Sequence, residues 1–265
     1  MITQSEFSRG RKQLMRLMGK DSIAIVPTMP EMVRNRDVEF PYRADSDFYY
    51  LTGFSEPEAV AVLIPGRRHG EFLLFCRERD PTMETWVGPR AGTEGAVDDY
   101  GADDAFPIAD IDDILPGLME DREQVFYTMG ARPEFDKSVM EWVRRIREGN
   151  RRGARTPDKF IALEHLLHDM RLYNNRAELR AMRKAAKVAC SGHVRAMQAC
   201  RPGMYEYEIE AELLHEFRRA GMVPAYPSIV GGGENGCILH YTRNGDRLED
   251  GDLLLIDAGA EYDCY

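Results

Sequence analysis

Asp250-Gly251-Asp252-Leu253-Leu254-Leu255-Ile256-Asp257-Ala258-Gly259 decides how the second half of this chain reads. Asp-Gly marks a tight turn, because glycine takes the positive φ such turns need. Four apolar residues follow, a run bounded sharply enough for a buried strand and too short for a helix. The strand presents one carboxylate, Asp257, at the edge of the core, with Ala258 and Gly259 leaving room beside it. A buried carboxylate has to be paired, hydrogen-bonded or metal-bound, since burying its isolated charge is prohibitive. From this stretch alone two readings stand equally, a functional acid and an aspartate that caps a turn.

Upstream, Gly231-Gly232-Gly233-Glu234-Asn235-Gly236 satisfies G-x-G-x-x-G, and Asp257 closes a strand about 20 residues later, as in a dinucleotide site. Such a site needs a helix opening at the glycines. A strand-like run, Cys237-Ile238-Leu239-His240-Tyr241, and an Asn244-Gly245 turn follow instead, so the nucleotide reading is rejected. Further back, Asn175 and Glu178 have capping-box spacing ahead of a helix striped by Leu179, Met182, Ala186, Ala189 and His193. Residues 205–219 form a second helix, with Ile209, Leu213, Leu214 and Phe217 inward and Gly221 as its stop. Two helices followed by short strands indicate an α+β domain, its helices on one face of a mainly antiparallel sheet. No G-x-S-x-G elbow or Cys/His signature supports a covalent nucleophile.

The first half is organised differently. Thr3 and Glu6 have capping-box spacing for a helix that Gly19 closes. Residues 22–26 form a short strand, 59–64 and 71–76 a hairpin, 124–127 a strand and 133–146 an amphipathic helix. Residues 35–54 and the Trp86 segment read as loops carrying aromatic rings. The acid-rich stretch 98–113 lacks the glycine and spacing of an EF-hand, so caps and solvated turns are expected. Residues 148–157 are basic and rich in helix breakers, a linker composition. His165 and His168, three apart on a short helix, lack a third metal ligand.

Composition narrows the classes. With 265 residues, 43% apolar and 30% charged, the chain has ample core material for one large or two ordinary domains. No apolar run nears the roughly 18 residues of a membrane span, and residues 1–6 do not resemble a signal peptide. A cytoplasmic protein is expected. Five cysteines without a C-x-x-C pair argue against a disulfide framework and a zinc site. A net charge of −10 disfavours nonspecific nucleic-acid binding.

Ser228 to Tyr241 together with Asp250 to Gly259 resemble aminopeptidase P, the Xaa-Pro aminopeptidases among the pita-bread metallopeptidases of family M24. Tyr42-Arg43 with Ser46-Asp47-Phe48, Thr52-Gly53-Phe54 with Glu56-Pro57-Glu58-Ala59, and Cys200-Arg201-Pro202-Gly203 extend the likeness over the chain. The resemblance implies an α/β N-terminal domain over 1–172, a mixed sheet with flanking helices. The first part of an α+β pita-bread catalytic domain follows over 173–265. It implies two divalent metal ions, usually manganese, and hydrolysis of the N-terminal Xaa-Pro bond by metal-activated water. Asp257 corresponds to the first metal ligand, His240 to a residue steadying substrate or transition state, and Tyr226 to a residue near the pocket. Asp37, Trp86 and Arg151 match positions near a neighbouring subunit's active site, which implies a homo-oligomer, dimer or tetramer. The expected partners are peptides with proline second, with no nucleic acid and no membrane.

The family's second aspartate ligand, and its later His and two Glu ligands, have no counterpart before Tyr265. A chain incomplete at its C-terminus and inactive alone is therefore expected, since one ligand cannot hold two hard cations. The rival readings are a non-catalytic oligomerisation module and a prolidase- or creatinase-like hydrolase on the same fold.

Overall fold

A computed structural model of the chain describes residues 2–149, 153 and 155–265. These fall into two compact units, Ile2–Tyr173 and Asn174–Tyr265.

The first unit runs through α1 (Gln4–Met18), β1 (Ser22–Pro27), β2 (Val33–Asn35), β3 (Val38–Glu39), α2 (Ser46–Thr52), β4 (Val60–Leu63), β5 (Phe72–Cys76) and α3 (Pro81–Val87). It continues with α4 (Gly92–Asp98), β6 (Asp104–Pro107), α5 (Ile111–Met119), β7 (Gln124–Phe126), α6 (Pro133–Gly149), β8 (Lys159–Ile161) and α7 (Glu164–Arg171). Six strands form one mixed sheet in the order β6-β5-β4-β1-β7-β8. Only β4 runs against the others. Because strand residues alternate between faces, Ala24, Ala61 and Leu74 pack with α1, α2, α4 and α7 on one side. Ile25, Val62 and Phe75 pack with α5 and α6 on the other. Both faces are covered, so β4 and β5 are apolar at every position. Trp142 of α6 is the largest fully buried side chain, and its Nε1 donates to Asp112 at 2.8 Å. Burying one such ring stabilises by about 1.5–3 kcal/mol.

The expected hairpin is β4–β5, while several expected loops turn out to be regular. Residues 46–52 form a helix because Asp45 Oδ1 accepts the amides of Asp47 and Phe48 at 2.9 and 3.0 Å. Gly53, at φ 67, ends it, and Phe48 and Leu51 point inward. Residues 33–39 pair as the β2–β3 hairpin. Trp86 stands on α3, a helix capped by Asp80 and begun by Pro81. Inside the acid-rich stretch, β6 and α5 form, and Asp103 accepts the amides of Glu71 and Phe72. The Thr3 capping box does not form: the Thr3 hydroxyl bonds Ser5, and Glu6 pairs with Arg9 at 2.8 Å.

In the second unit, α8 (Arg176–Ala199) begins with a complete Asn175–Glu178 capping box. It is followed by α9 (Glu206–Arg219), β9 (Val223–Pro224), β10 (Ile229–Gly232), β11 (Leu254–Asp257) and β12 (Ala260–Glu261). All pairing here is antiparallel, β10 with β11 and β12 with β9. Leu213, Phe217, Val230 and Leu248 centre a small core beneath the helices.

Two expectations need correcting. The strand ending at Asp257 is half-buried: Leu254 and Ile256 face the core, while Leu253 is 87% and Leu255 43% exposed. A two-stranded ribbon with helices on one side can cover only alternate residues. The Cys237–Tyr241 run is not a strand. A five-residue 3-10 turn, Gly233–Cys237, leads into a further turn that leaves Leu239 88% exposed.

Candidate functional site

β11 carries Asp257 to its end, opposite Ile229 of β10. The chain entering β10 brings Tyr226 alongside, and its hydroxyl donates to Asp257 Oδ1 at 2.5 Å. Asp257 is therefore neither buried nor a turn cap. It is an exposed carboxylate with one oxygen held by a phenol. The same hydrogen bond, then partial burial and the carboxylate's charge, push the Tyr226 phenol up to about 12. From α8, His193 Nε2 donates to the Ala258 carbonyl at 3.1 Å, which fixes both the backbone just beyond Asp257 and the tautomer of His193.

The segment carrying His240 is tied to the start of α9. Glu206, wholly buried, accepts four hydrogen bonds. Gly232 N and Asn235 Nδ2 reach Oε1 at 2.8 and 3.0 Å, and the Tyr241 hydroxyl and Asp246 N reach Oε2 at 2.7 and 2.9 Å. Burial alone pushes this carboxyl up, but the four donors outweigh it and hold the group below the ordinary glutamate value. One turn on, Glu210 accepts from Asn244 Nδ2 at 3.0 Å. Asn244 also donates to the Ser228 carbonyl and accepts the Val230 amide. Gly231 lacks a side chain for a reason: a Cβ there would sit 2.9 Å from the Asn235 backbone. The glycine loop thus turns its Gly232 amide to a carboxylate of the protein itself, which is a physical ground against a phosphate there.

The residues singled out from the sequence are distributed as follows. Tyr226 and Asp257 are in direct contact. His240 lies exposed beside the anchored Tyr241 and forms no hydrogen bond with that pair. Trp86, 81% exposed on α3, and Asp37, exposed in the turn between β2 and β3, belong to the other unit. Arg151 lies outside the described residues. Among the described residues no three His, Cys, Asp or Glu side chains are grouped to hold a metal ion. Asp257 is a single candidate ligand, and by itself it does not fit a pair of hard cations, which take several oxygens each. Sequence reasoning did not single out Glu206 or Glu210, and it took Asn244 only as half of an Asn-Gly turn.

Comparison with known proteins covers the whole chain. The family model for the aminopeptidase P N-terminal domain matches residues 7–127, and that for metallopeptidase family M24 matches 180–265. The chain is 42% identical to the Xaa-Pro aminopeptidase of Escherichia coli over its full length, which is 60% of that relative. The solved structure of Pseudomonas aeruginosa aminopeptidase PepP superposes with a TM-score of 0.98 at 60% identity, over 100% of this chain and 60% of the other. Zinc-substituted E. coli aminopeptidase P in complex with product superposes at 0.96 and 42% identity, over 99% and 60%. The chain thus spans about 60% of the length of the relatives it matches. With both family models met in order and the fold shared throughout, the chain belongs to the aminopeptidase P family of M24 metallopeptidases.

Proposed function

We propose that this chain forms part of an Xaa-Pro aminopeptidase, an enzyme that hydrolyses the peptide bond between an N-terminal residue and a following proline. The Tyr226–Asp257 pair carries the reading, because it lies inside the M24-matched residues of a chain 42% identical to an Xaa-Pro aminopeptidase. In this reading residues 1–172 are the aminopeptidase P N-terminal domain and 173–265 belong to the pita-bread catalytic domain. Asp257 would be one ligand of two divalent ions, manganese by preference, which when bound would supply the activated water.

This chain's own residues hold and orient. Tyr226 donates its hydroxyl proton to Asp257 Oδ1, which holds the carboxylate in one orientation with Oδ2 open as a ligand atom. His240 steadies the substrate from a loop whose root is clamped on Glu206. Asp37 and Trp86 approach the active site of a neighbouring subunit in a dimer or tetramer. The cytoplasm is the proposed compartment, and among the described residues no helix is long and apolar enough to cross a membrane.

The test compares release of alanine from Ala-Pro and Ala-Ala peptides, with manganese, by the protein as its gene encodes it. Selective Ala-Pro cleavage, abolished in Asp257→Ala, is expected. Equal cleavage of both peptides, or an active Asp257→Ala, overturns the reading. The 265 residues alone are expected to turn over neither peptide, since their described side chains supply a single ligand.

A further inference from the structure

Five of the six strands in the first unit run the same way, so their carboxyl ends share one edge of the sheet. From β1 the chain builds outward to β6, then crosses through α5 to β7 on the other side of β1. Open α/β sheets hold ligands where the strand order reverses in this way, outside the carboxyl ends. A cleft of about 730 Å³ opens along that edge next to the switch point, between the end of β1, the start of β4 and the start of α6. Its volume is that of a small-molecule site, and its floor of Pro27, Val60, Ile108 and Phe135 is apolar.

One cation faces this cleft. Arg132, half-buried, forms no ion pair among the described residues, and its Nη2 donates to the thioether of Met29 at 3.2 Å. A thioether is a poor acceptor for a guanidinium, whose planar fork is shaped for a carboxylate. Burial pulls the guanidinium's pKa down, as expected where no acceptor of full charge touches it, while Asp45 and Tyr127 oppose this from further off. Two acids also border the cleft, Glu134, which is engaged by Lys137, and Glu58. They set a charge limit: a ligand with several negative charges is repelled, and one with a single charge is not.

We propose that this cleft is a second ligand site, independent of the peptidase reading, and that it takes a small apolar monocarboxylate. The carboxylate displaces Met29 from Arg132, and the apolar body packs on Val60, Ile108 and Phe135.

The test titrates the protein as its gene encodes it with 4-phenylbutyrate, followed by NMR of the ligand, with 4-phenylbutanol as the uncharged counterpart. The acid is expected to bind with a Kd on the order of a millimolar or tighter. The alcohol, and the acid with Arg132→Gln, are expected to bind at least about tenfold more weakly, the worth of a charge-assisted pair. Ala131→Trp, at an exposed position on the cleft wall, is expected to abolish binding by filling the space. Should Arg132→Gln fail to fold, the acid-to-alcohol ratio on the unaltered chain decides alone. A ratio near one, no binding by the folded chain, or a dimer that closes this cleft and is broken by Ala131→Trp overturns the proposal.

Discussion

In Ile2–Tyr173 a central sheet is packed by helices on both faces, and its strands are apolar at nearly every position. In Asn174–Tyr265 the strands pair two at a time, the core is small, and the connections hang from two carboxylates of α9. The first unit is held chiefly by burial, which is indifferent to pH and punished by cavities. The second depends on a buried polar hub, which is sensitive to proton concentration and punished by any unpaired donor. Family resemblance alone does not reveal this division of labour, although it sets what each half tolerates.

Changes aimed at each unit can break the comparison. The largest expected effect is Trp142→Ala, which removes the central side chain of the α6 face and orphans Asp112. It should cost about 3–5 kcal/mol in denaturant unfolding of the first unit and leave amide exchange in the second unchanged. Next comes Glu206→Gln, which keeps the shape but turns a donor toward groups that are already donors. A loss of about 3 kcal/mol is expected in the second unit, read as faster exchange of the Gly232 and Asp246 amides. If that variant melts like the parent, the polar hub is not what holds the unit.

Acid should then separate the two units. Folding lowers the Glu206 pKa, so its contribution is complete above the unfolded value of about 4.5 and fades as pH falls through the lower folded value. The second unit should therefore lose stability first below pH 4.5, and Glu206→Gln should flatten that part of its pH profile. The smallest effect concerns the site. Asp257→Asn should shift stability by about 0.5 kcal/mol or less. It should also return the Tyr226 phenol from about 12 toward 10, measured by ultraviolet titration of phenolate.

What was legible in the sequence follows the same divide. The doubly apolar runs at 60–63 and 72–76 announce buried strands, and Asn175 with Glu178 announces a helix start, because those signals are local. The helix at 46–52 escaped notice because its aromatic composition outweighs its one cap, Asp45. The strand at 159–161 has only three residues and needs β7 beside it to exist. Calling Leu253 to Ile256 buried presumed a wide sheet, where the described partner is β10 alone. Glu206 could not be singled out, because its four donors come from residues 26 to 40 positions away. Proximity of that kind is a property of the fold.

Asn244 has one further consequence, for chemical ageing. Asparagine followed by glycine is the pair most prone to deamidate, through attack of the next backbone nitrogen on the side-chain carbonyl. Here that carbonyl accepts the Val230 amide, both amide hydrogens are engaged, and the Gly245 nitrogen is turned to the Tyr241 hydroxyl. The folded loop thus shelters its own weakest bond, and slow mass gain at Asn244 on storage becomes a clock for how often the loop comes open.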